Sequence, residues 1–259
     1  MIKNTQTMYN ALAASYDAFR PHYPPESLGF LVTLADLDRT NTVADIGAGT
    51  GQLSLALAQY SRLVYAVDTA SAMLERLQEN AREQSITNIV TVDAEGENTK
   101  LPSESLDLVV LAQVFHWMNK QNALKEMHRL LKPRKPLAII WNQSLSEGER
   151  YTLELKALVS QFNPNYVSKV DIDSADFVSE IEKSGFFTPP EIFEFPYLLE
   201  YSLEDYLGYL MSKSYVGAGI PASHTSEFMV AAYEVLLRAF PHGKVVEKHE
   251  TVMLAARKR

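Results

Sequence analysis

Five short β-rich runs alternate with helical patterns through the first 142 residues. The runs are Thr42–Ile46, Leu63–Val67, Ile89–Val92, Leu106–Leu111 and Leu137–Trp141, and the helical patterns are Gln52–Gln59, Ala72–Arg82 and Gln121–Leu131. Alternation of this kind predicts parallel strands, because parallel neighbours need a long crossover connection and a helix supplies it. Leu108-Val109-Val110-Leu111 is apolar at every position, which suits a strand covered on both faces. The expected class is α/β: a doubly wound, mostly parallel seven-stranded sheet with helices on both sides.

Two further helices, Gln6–Phe19 and Pro25–Ala35, precede the first strand, with Pro25 at a helix start. After Trp141 the rhythm changes. Glu149–Phe162 and Ser174–Lys183 read as helices, the second stopped by Gly185 and Pro189-Pro190. Glu191–Tyr201 is aromatic and roughly alternating, a strand pattern. Ser202 then caps a helix to about Lys213, with Asp205 as a weak capping-box partner. His224–Phe240 is a helix closed by Pro241-His242-Gly243, Val245–Ala256 a last strand, and Asn163-Pro164-Asn165-Tyr166 a turn. The expected organisation is one domain, 1–259. Within it 1–142 is a core with N-terminal helices, 143–244 is mainly a helical cap with one late core strand, and 245–259 is the final strand.

Composition narrows the partners. With 24 Lys+Arg against 32 Asp+Glu the net charge is -8, so a nucleic acid or an anionic bilayer is repelled at long range. No run reaches the eighteen or so apolar residues of a membrane span, and Met1–Phe19 is too polar for a leader peptide. Zero cysteines exclude disulfides, thiolate zinc sites and a Cys nucleophile, and suit a cytoplasmic location. No histidine pair has ligand spacing, so no metal is expected.

The segment Asp45-Ile46-Gly47-Ala48-Gly49-Thr50-Gly51 follows a strand and opens a helix. Glycines here are expected to leave backbone N–H groups bare and let a ligand approach the main chain, beside the positive end of the next helix. Asp68 ends the second strand, where an acid accepts bonds from both ribose hydroxyls. A bare βα turn and a capping Asp are the plain alternatives; together, the two features point to a nucleoside-bearing ligand. The dinucleotide fingerprint requires glycine at position 52, which is Gln here. An acid at Asp45 disfavours a pyrophosphate and favours an ammonium group. A ligand combining ammonium, carboxylate and ribose is S-adenosylmethionine.

These residues, with Asp93-Ala94-Glu95 and the Leu106–Leu111 strand, resemble the class I S-adenosylmethionine-dependent methyltransferases, whose sheet is Rossmann-like. Tyr16-Asp17-x-x-Arg20-Pro21-x-Tyr23-Pro24 and Phe115-His116-Trp117 look like the small-molecule branch that includes trans-aconitate methyltransferase-like enzymes. The resemblance covers residues 9 to 142 well and the rest loosely. It implies that Gly47, Gly49 and Gly51 contact the amino-acid end of the cofactor and that Asp68 holds the ribose. It places Met73 along the adenine, Asp93 on the adenine amino group with Ala94 beside it, and Gln113 near the methionine moiety through its backbone. Met73 is equally what a core helix carries.

Tyr16 and Arg20 lie four apart on one helix face, where Arg20 is expected to pair with the cofactor carboxylate and Tyr16 to close over the methionine chain. His116 is the candidate general base or acceptor-orienting group, beside Trp117 just beyond the fourth strand. Tyr215, in a Ser212–Ile220 loop carrying Gly217 and Gly219, and His224 are expected to shape a mobile pocket wall. The expected partner is a small-molecule methyl acceptor, neither nucleic acid nor membrane, acted on by a monomer or homodimer. A non-catalytic S-adenosylmethionine-binding sensor is the alternative of another class, and a nicotinamide oxidoreductase a third.

Overall fold

The computed structural model describes residues 2–166 and 174–259. Seven strands form one sheet: β1 (Thr42–Ile46), β2 (Leu63–Asp68), β3 (Ile89–Asp93), β4 (Leu108–Ala112), β5 (Pro136–Ser144), β6 (Glu191–Ser202) and β7 (Lys244–Arg257), in the order β3-β2-β1-β4-β5-β7-β6. The first five pair in parallel, with Asp45 opposite Ala66 and Asp68 opposite Asp93. The chain reverses direction at β7. Leu145 N donates to Lys248 O and Lys258 N to Lys135 O, a pattern that runs β7 antiparallel to β5. The order steps outward from β1 in both directions, so β1 and β4 meet at the point where the winding switches.

The contacts divide the chain into two compact units. The sheet unit comprises His22–Asn142, Asp171–Phe195 and Thr251–Arg259. The cap unit comprises Met1–Pro21, Gln143–Val170 and Pro196–Glu250. The first helix belongs with the cap segments, and the segment up to Phe195 belongs with the sheet. Residues 167–173, inside the expected cap, lie outside the described residues.

Within the sheet unit, adjacent residues of one strand enter different cores. Val109, Leu111, Ile139 and Trp141 pack with α5 (Lys120–Leu130) through Leu124 and Met127. Leu108, Val110, Ala138 and Ile140 pack on the other side with α2 (Pro25–Ala35) and α3 (Gln52–Ala58), through Leu31, Leu53 and Leu57. The period of two in β4 and β5 therefore feeds two cores, which is why their sequences show no polar alternation. Phe177 of α7 (Ser174–Ser184) meets Phe115 and Trp141 edge-on at 4.9 and 5.5 Å.

The cap unit gathers α1 (Ile2–Phe19), α6 (Arg150–Phe162), α8 (Leu203–Ser212) and α9 (Thr225–Ala239) around Tyr151, Leu155, Tyr206, Leu210 and Phe228. Ser202 caps α8 by accepting from Asp205 N at 3.0 Å, and its hydroxyl donates to the Asp205 carboxylate at 2.8 Å. The Ser212–Ile220 segment is not the loop expected from its glycines. It holds a π-helical turn, Ser214–Ala218, in which a Cβ on Gly217 would stand 2.0 Å from Met211 O. Glycine is required there for close packing rather than for motion. Asn163 accepts from Asn165 N and Tyr166 N, making the expected turn, and its amide donates to Tyr215 O at 2.9 Å.

Candidate functional site

The glycine turn joins β1 to α3, and its three glycines have φ of +73°, +56° and +92° at Gly47, Gly49 and Gly51. Those angles fold the turn back onto β2. Gly47 N and Ala48 N both donate to Val67 O, Gly51 N donates to Ala48 O, and Gly49 N donates to Asp68 Oδ2 at 2.9 Å. This corrects the expectation of bare amides: those at 47, 48, 49 and 51 are paired within the unit. What the turn does present is space. A Cβ on Gly49 would meet nothing within 4 Å, whereas one on Gly47 would strike Val114 and one on Gly51 would strike Leu77. Gly47 and Gly51 thus seat the turn against the fold, and Gly49 leaves its main chain approachable.

Two carboxylates flank this open stretch. Asp68 ends β2, accepting from Gly49 N on Oδ2 and from Ala70 N on Oδ1 at 2.9 Å. The Thr69 backbone N–H is a third donor to this carboxylate, which still has acceptor capacity for a hydroxyl. Burial raises its pKa above the usual carboxylate range, against the pull of those backbone donors.

Asp45 is 1 % exposed. Ser54 of α3 donates to its Oδ2 at 2.7 Å, while Oδ1 is buried with no hydrogen-bond partner. Burial pushes this carboxyl up to about 6; the Ser54 hydroxyl opposes the shift and the Asp68 charge adds to it. A buried acceptor left bare beside an approachable main chain is a site for a donor, and a cationic donor would restore its charge. Ser54 was missed in the sequence, and its only signal was a hydroxyl in the otherwise apolar Leu53–Ala58 run.

Asp93 is exposed at the end of β3, on the strand beside Asp68, and Ala94 N donates to Asp68 O at 3.3 Å. Met73, in the first turn of α4 (Ser71–Glu83), is 2 % exposed, so its side chain is interior packing in this structure. Gln113 follows β4 with φ +58°, a left-handed conformation that costs a non-glycine residue about 1–2 kcal/mol. Its amide N donates to Ile140 O at 2.8 Å and its side chain to Asn142 O at 3.1 Å, which hold that strain in place. The bend turns the chain into a 3-10 helix, Phe115–Trp117. There Phe115 is buried, His116 half-buried and Trp117 42 % exposed, the two rings 5.1 Å apart.

The structure brings Asp45, Gly47, Gly49, Gly51, Asp68, Asp93 and Ala94 together at one end of the parallel strands. Tyr16, Arg20, Tyr215 and His224 belong to the cap unit. There the Arg20 guanidinium lies 4.8 Å over the Tyr16 ring and donates to Ser212 O at 3.1 Å. Tyr215 is half-buried, 5.1 Å from the ring of Tyr166. His224 is exposed in the short turn Ala222–His224, with its nearest ring contact to Phe162 at 6.5 Å. Among the described residues, no helix is long and apolar enough to cross a membrane and no three His, Asp or Glu side chains gather to hold a metal.

The family model of a methyltransferase domain matches residues 44–139, which run from β1 through β5. An uncharacterized methyltransferase of Schizosaccharomyces pombe is 36% identical over 130 residues, 50% of this chain and 50% of that protein. The chain thus matches only about half the length of such a relative. A solved structure from Anaeromyxobacter dehalogenans, assigned as a type II methyltransferase, shares the fold. Its TM-score is 0.66 at 22% identity, covering 93% of this chain and 98% of that one. The Haemonchus contortus phosphoethanolamine N-methyltransferase 2, solved with phosphomonomethylethanolamine and S-adenosylhomocysteine, shares it too. That match has a TM-score of 0.58 at 17% identity, over 95% of this chain and 56% of that one.

Proposed function

We propose that the chain is a class I S-adenosylmethionine-dependent methyltransferase and that it methylates a small-molecule acceptor; the methyltransferase-domain match over residues 44–139, the relatives and the shared fold support this reading. One observation carries the reading: the buried, half-partnered Asp45 stands beside a glycine turn with an open main chain at Gly49. A nicotinamide dinucleotide offers Asp45 no ammonium donor and brings two phosphate charges toward it. The amino group of S-adenosylmethionine gives it a cation.

Bound in this unit, S-adenosylmethionine supplies an electrophilic methyl group on a sulfonium sulfur. The residues of the chain do the binding and aligning. In this proposal Asp45 accepts from the amino group and Gly49 lets the amino-acid end reach the backbone, with Gly47 and Gly51 holding the turn. Asp68 accepts from the ribose hydroxyls and Asp93 from the adenine amino group, with Ala94 beside the base and Met73 packed in the interior behind it. Gln113 sets the chain direction that leads to His116 and Trp117, which orient the acceptor. Arg20 and Tyr16 act on the cofactor's amino-acid end only if their bonds to each other and to Ser212 rearrange. Tyr215 is proposed to line the acceptor's place in the cap unit, and exposed His224 to be dispensable.

A small acceptor fits the net charge of -8, which disfavours a polyanion. The absence of cysteine suits a reducing cytoplasm. Two experiments test the reading. S-adenosylhomocysteine is expected to raise the melting temperature while NAD does not, because only a ligand of the native state stabilises it. A screen of hydroxyl, amine and carboxylate compounds, read by S-adenosylhomocysteine release, is expected to yield turnover. Stabilisation by NAD alone would refute the reading.

A further inference from the structure

A cleft of about 680 Å3 lies within the cap unit, lined entirely by residues of that unit. Asp45, Gly49 and Asp68, on which the cofactor reading rests, belong to the sheet unit and do not line it. Its volume is that of sites that take small molecules, about 300–1,000 Å3. The first turn of α6, the end of α9 and the strands β6 and β7 meet there. Val246 and Lys248 stand two apart on β7 and share one face, while Glu247 and His249, which alternate with them, are buried.

The deep part of the cleft is apolar. Tyr151 and Val235 are buried, and the Tyr151 ring meets Phe240 edge-on at 4.9 Å. Burial pushes the Tyr151 hydroxyl up to about 12, with the Glu247 charge adding to the shift, so it brings no charge at neutral pH. Apolar surface continues to the rim, where Leu198 of β6 is 65 % exposed and Val246 46 %. Single exposed apolar side chains are ordinary, but these two border a recess with an apolar interior. The charged lining is three cations, Arg150, Arg238 and Lys248, against two carboxylates, Glu149 and Glu154. Glu154 is already engaged. It accepts from Arg150 Nε at 2.8 Å and from Arg238 Nη2 at 3.2 Å, and these bonds hold its carboxyl below the usual carboxylate range. Glu149 remains as the opposing charge, and it gives α6 no side-chain cap, so the amides of that helix end add a positive pole. Lys248 is exposed and enters no ion pair among the described residues. The cleft is thus locally positive on a chain of net charge -8.

We propose that this cleft is a second ligand site and that it takes a small amphipathic anion, an aromatic or branched aliphatic carboxylate. The apolar body packs against Tyr151, Val235 and Phe240, and the carboxylate meets the Lys248 ammonium. Burial of the apolar body supplies most of the binding, because an exposed ion pair adds little by itself. The cations supply selectivity. An amine of the same shape would meet Lys248, Arg150 and Arg238 as like charges, and an anion with no apolar body would leave the recess unfilled. The site lies outside the methyl-transfer reading and stands whether or not the chain methylates an acceptor.

The test titrates 2-naphthoate into the whole chain, with 2-naphthylmethylamine and acetate as comparisons, read by two-dimensional NMR. The naphthoate is expected to saturate with a Kd of about 1 mM or below and to shift the signals of Val235, Val246 and Lys248. The amine and acetate are expected to bind at least about tenfold more weakly. K248E is expected to weaken naphthoate binding about tenfold and to strengthen that of the amine. Val246→Glu, which sets a carboxylate on the rim, is expected to weaken the naphthoate similarly and serves if K248E fails to fold. No saturable binding, equal affinity for the acid and the amine, or shifts confined to residues outside the cleft would overturn the proposal. So would a dimer, seen by sedimentation, that Val246→Glu dissociates and the naphthoate leaves intact, because a second copy would then cover the cleft. Stabilisation by S-adenosylhomocysteine tests the methyl-transfer reading separately, so the two can fail independently.

Discussion

Replacing Asp45 by asparagine isolates the charge that the proposed cofactor site depends on. A carboxyl with a folded pKa of about 6 stands some two pH units above its ordinary value of 3.8. At about 1.4 kcal/mol per pH unit, ionised Asp45 burdens the cofactor-free fold by about 3 kcal/mol at pH 7–8. The sign follows from the direction of the shift. Asp45 is harmless below pH 3.8, where it is protonated folded and unfolded alike, and the handicap grows as pH rises through 6. The amide of the Asp45→Asn variant does not titrate; it brings an unbonded polar group at a roughly pH-independent cost of about 1–3 kcal/mol. Urea unfolding of both proteins from pH 4 to pH 8 separates the two effects. The stability difference is expected to move in favour of the variant by about 3 kcal/mol across that range. Binding should move oppositely. S-adenosylhomocysteine affinity of the unsubstituted protein is expected to fall roughly tenfold from pH 7 to pH 5, as Asp45 takes up a proton, and the variant is expected to bind weakly at both. A stability difference that stays constant with pH would refute the argument that Asp45 is held at an unfavourable charge.

Other substitutions probe other links. Gly51→Ala would set a Cβ 2.5 Å from Leu77 at a φ of +92°, and is expected to lower stability by about 1–3 kcal/mol; Gly49→Ala meets no atom, and should cost only about 1 kcal/mol of backbone strain while impairing ligand binding more. Comparing urea midpoints with calorimetric affinities tells the two glycines apart. Arg20→Ala removes the contacts to Tyr16 and Ser212 and is expected to destabilise the protein by about 1–3 kcal/mol. If its S-adenosylhomocysteine affinity is also unchanged by calorimetry, Arg20 is a structural group of the cap unit. Asp107, bonded to Thr42 N and to Lys132, has a pKa held down against its burial by those partners and Lys135. Its stabilisation is present above the ordinary value of 3.8 and lost as pH falls below it through the lowered folded pKa, so Asp107→Asn should flatten acid unfolding below about pH 4.

The parallel core was legible because periodicity and connectivity agree there. Thr42–Ile46 and Pro25–Ala35 fall where the pattern predicts them, since a short β-rich run between helical patterns has few other stable placements. The Ser212–Ile220 segment was not legible, because glycine marks a turn, a mobile loop and a close packing contact alike. Only coordinates reveal that Met211 O crowds Gly217. The acids of the turn were legible by spacing, but the pairing of the glycine amides with Val67 and Asp68 was not. Glu247 and His249 escaped notice for a related reason. Alternating polar residues on a late strand look like a solvated face, yet both side chains are buried, which is a tertiary fact.

The most direct measurement of the central claim is a crystal structure with S-adenosylhomocysteine bound. The account predicts its amino group against Asp45, its amino-acid end along Gly49 and both ribose hydroxyls on Asp68. Density for the ligand away from these three residues, or a ribose held by other side chains, would contradict it.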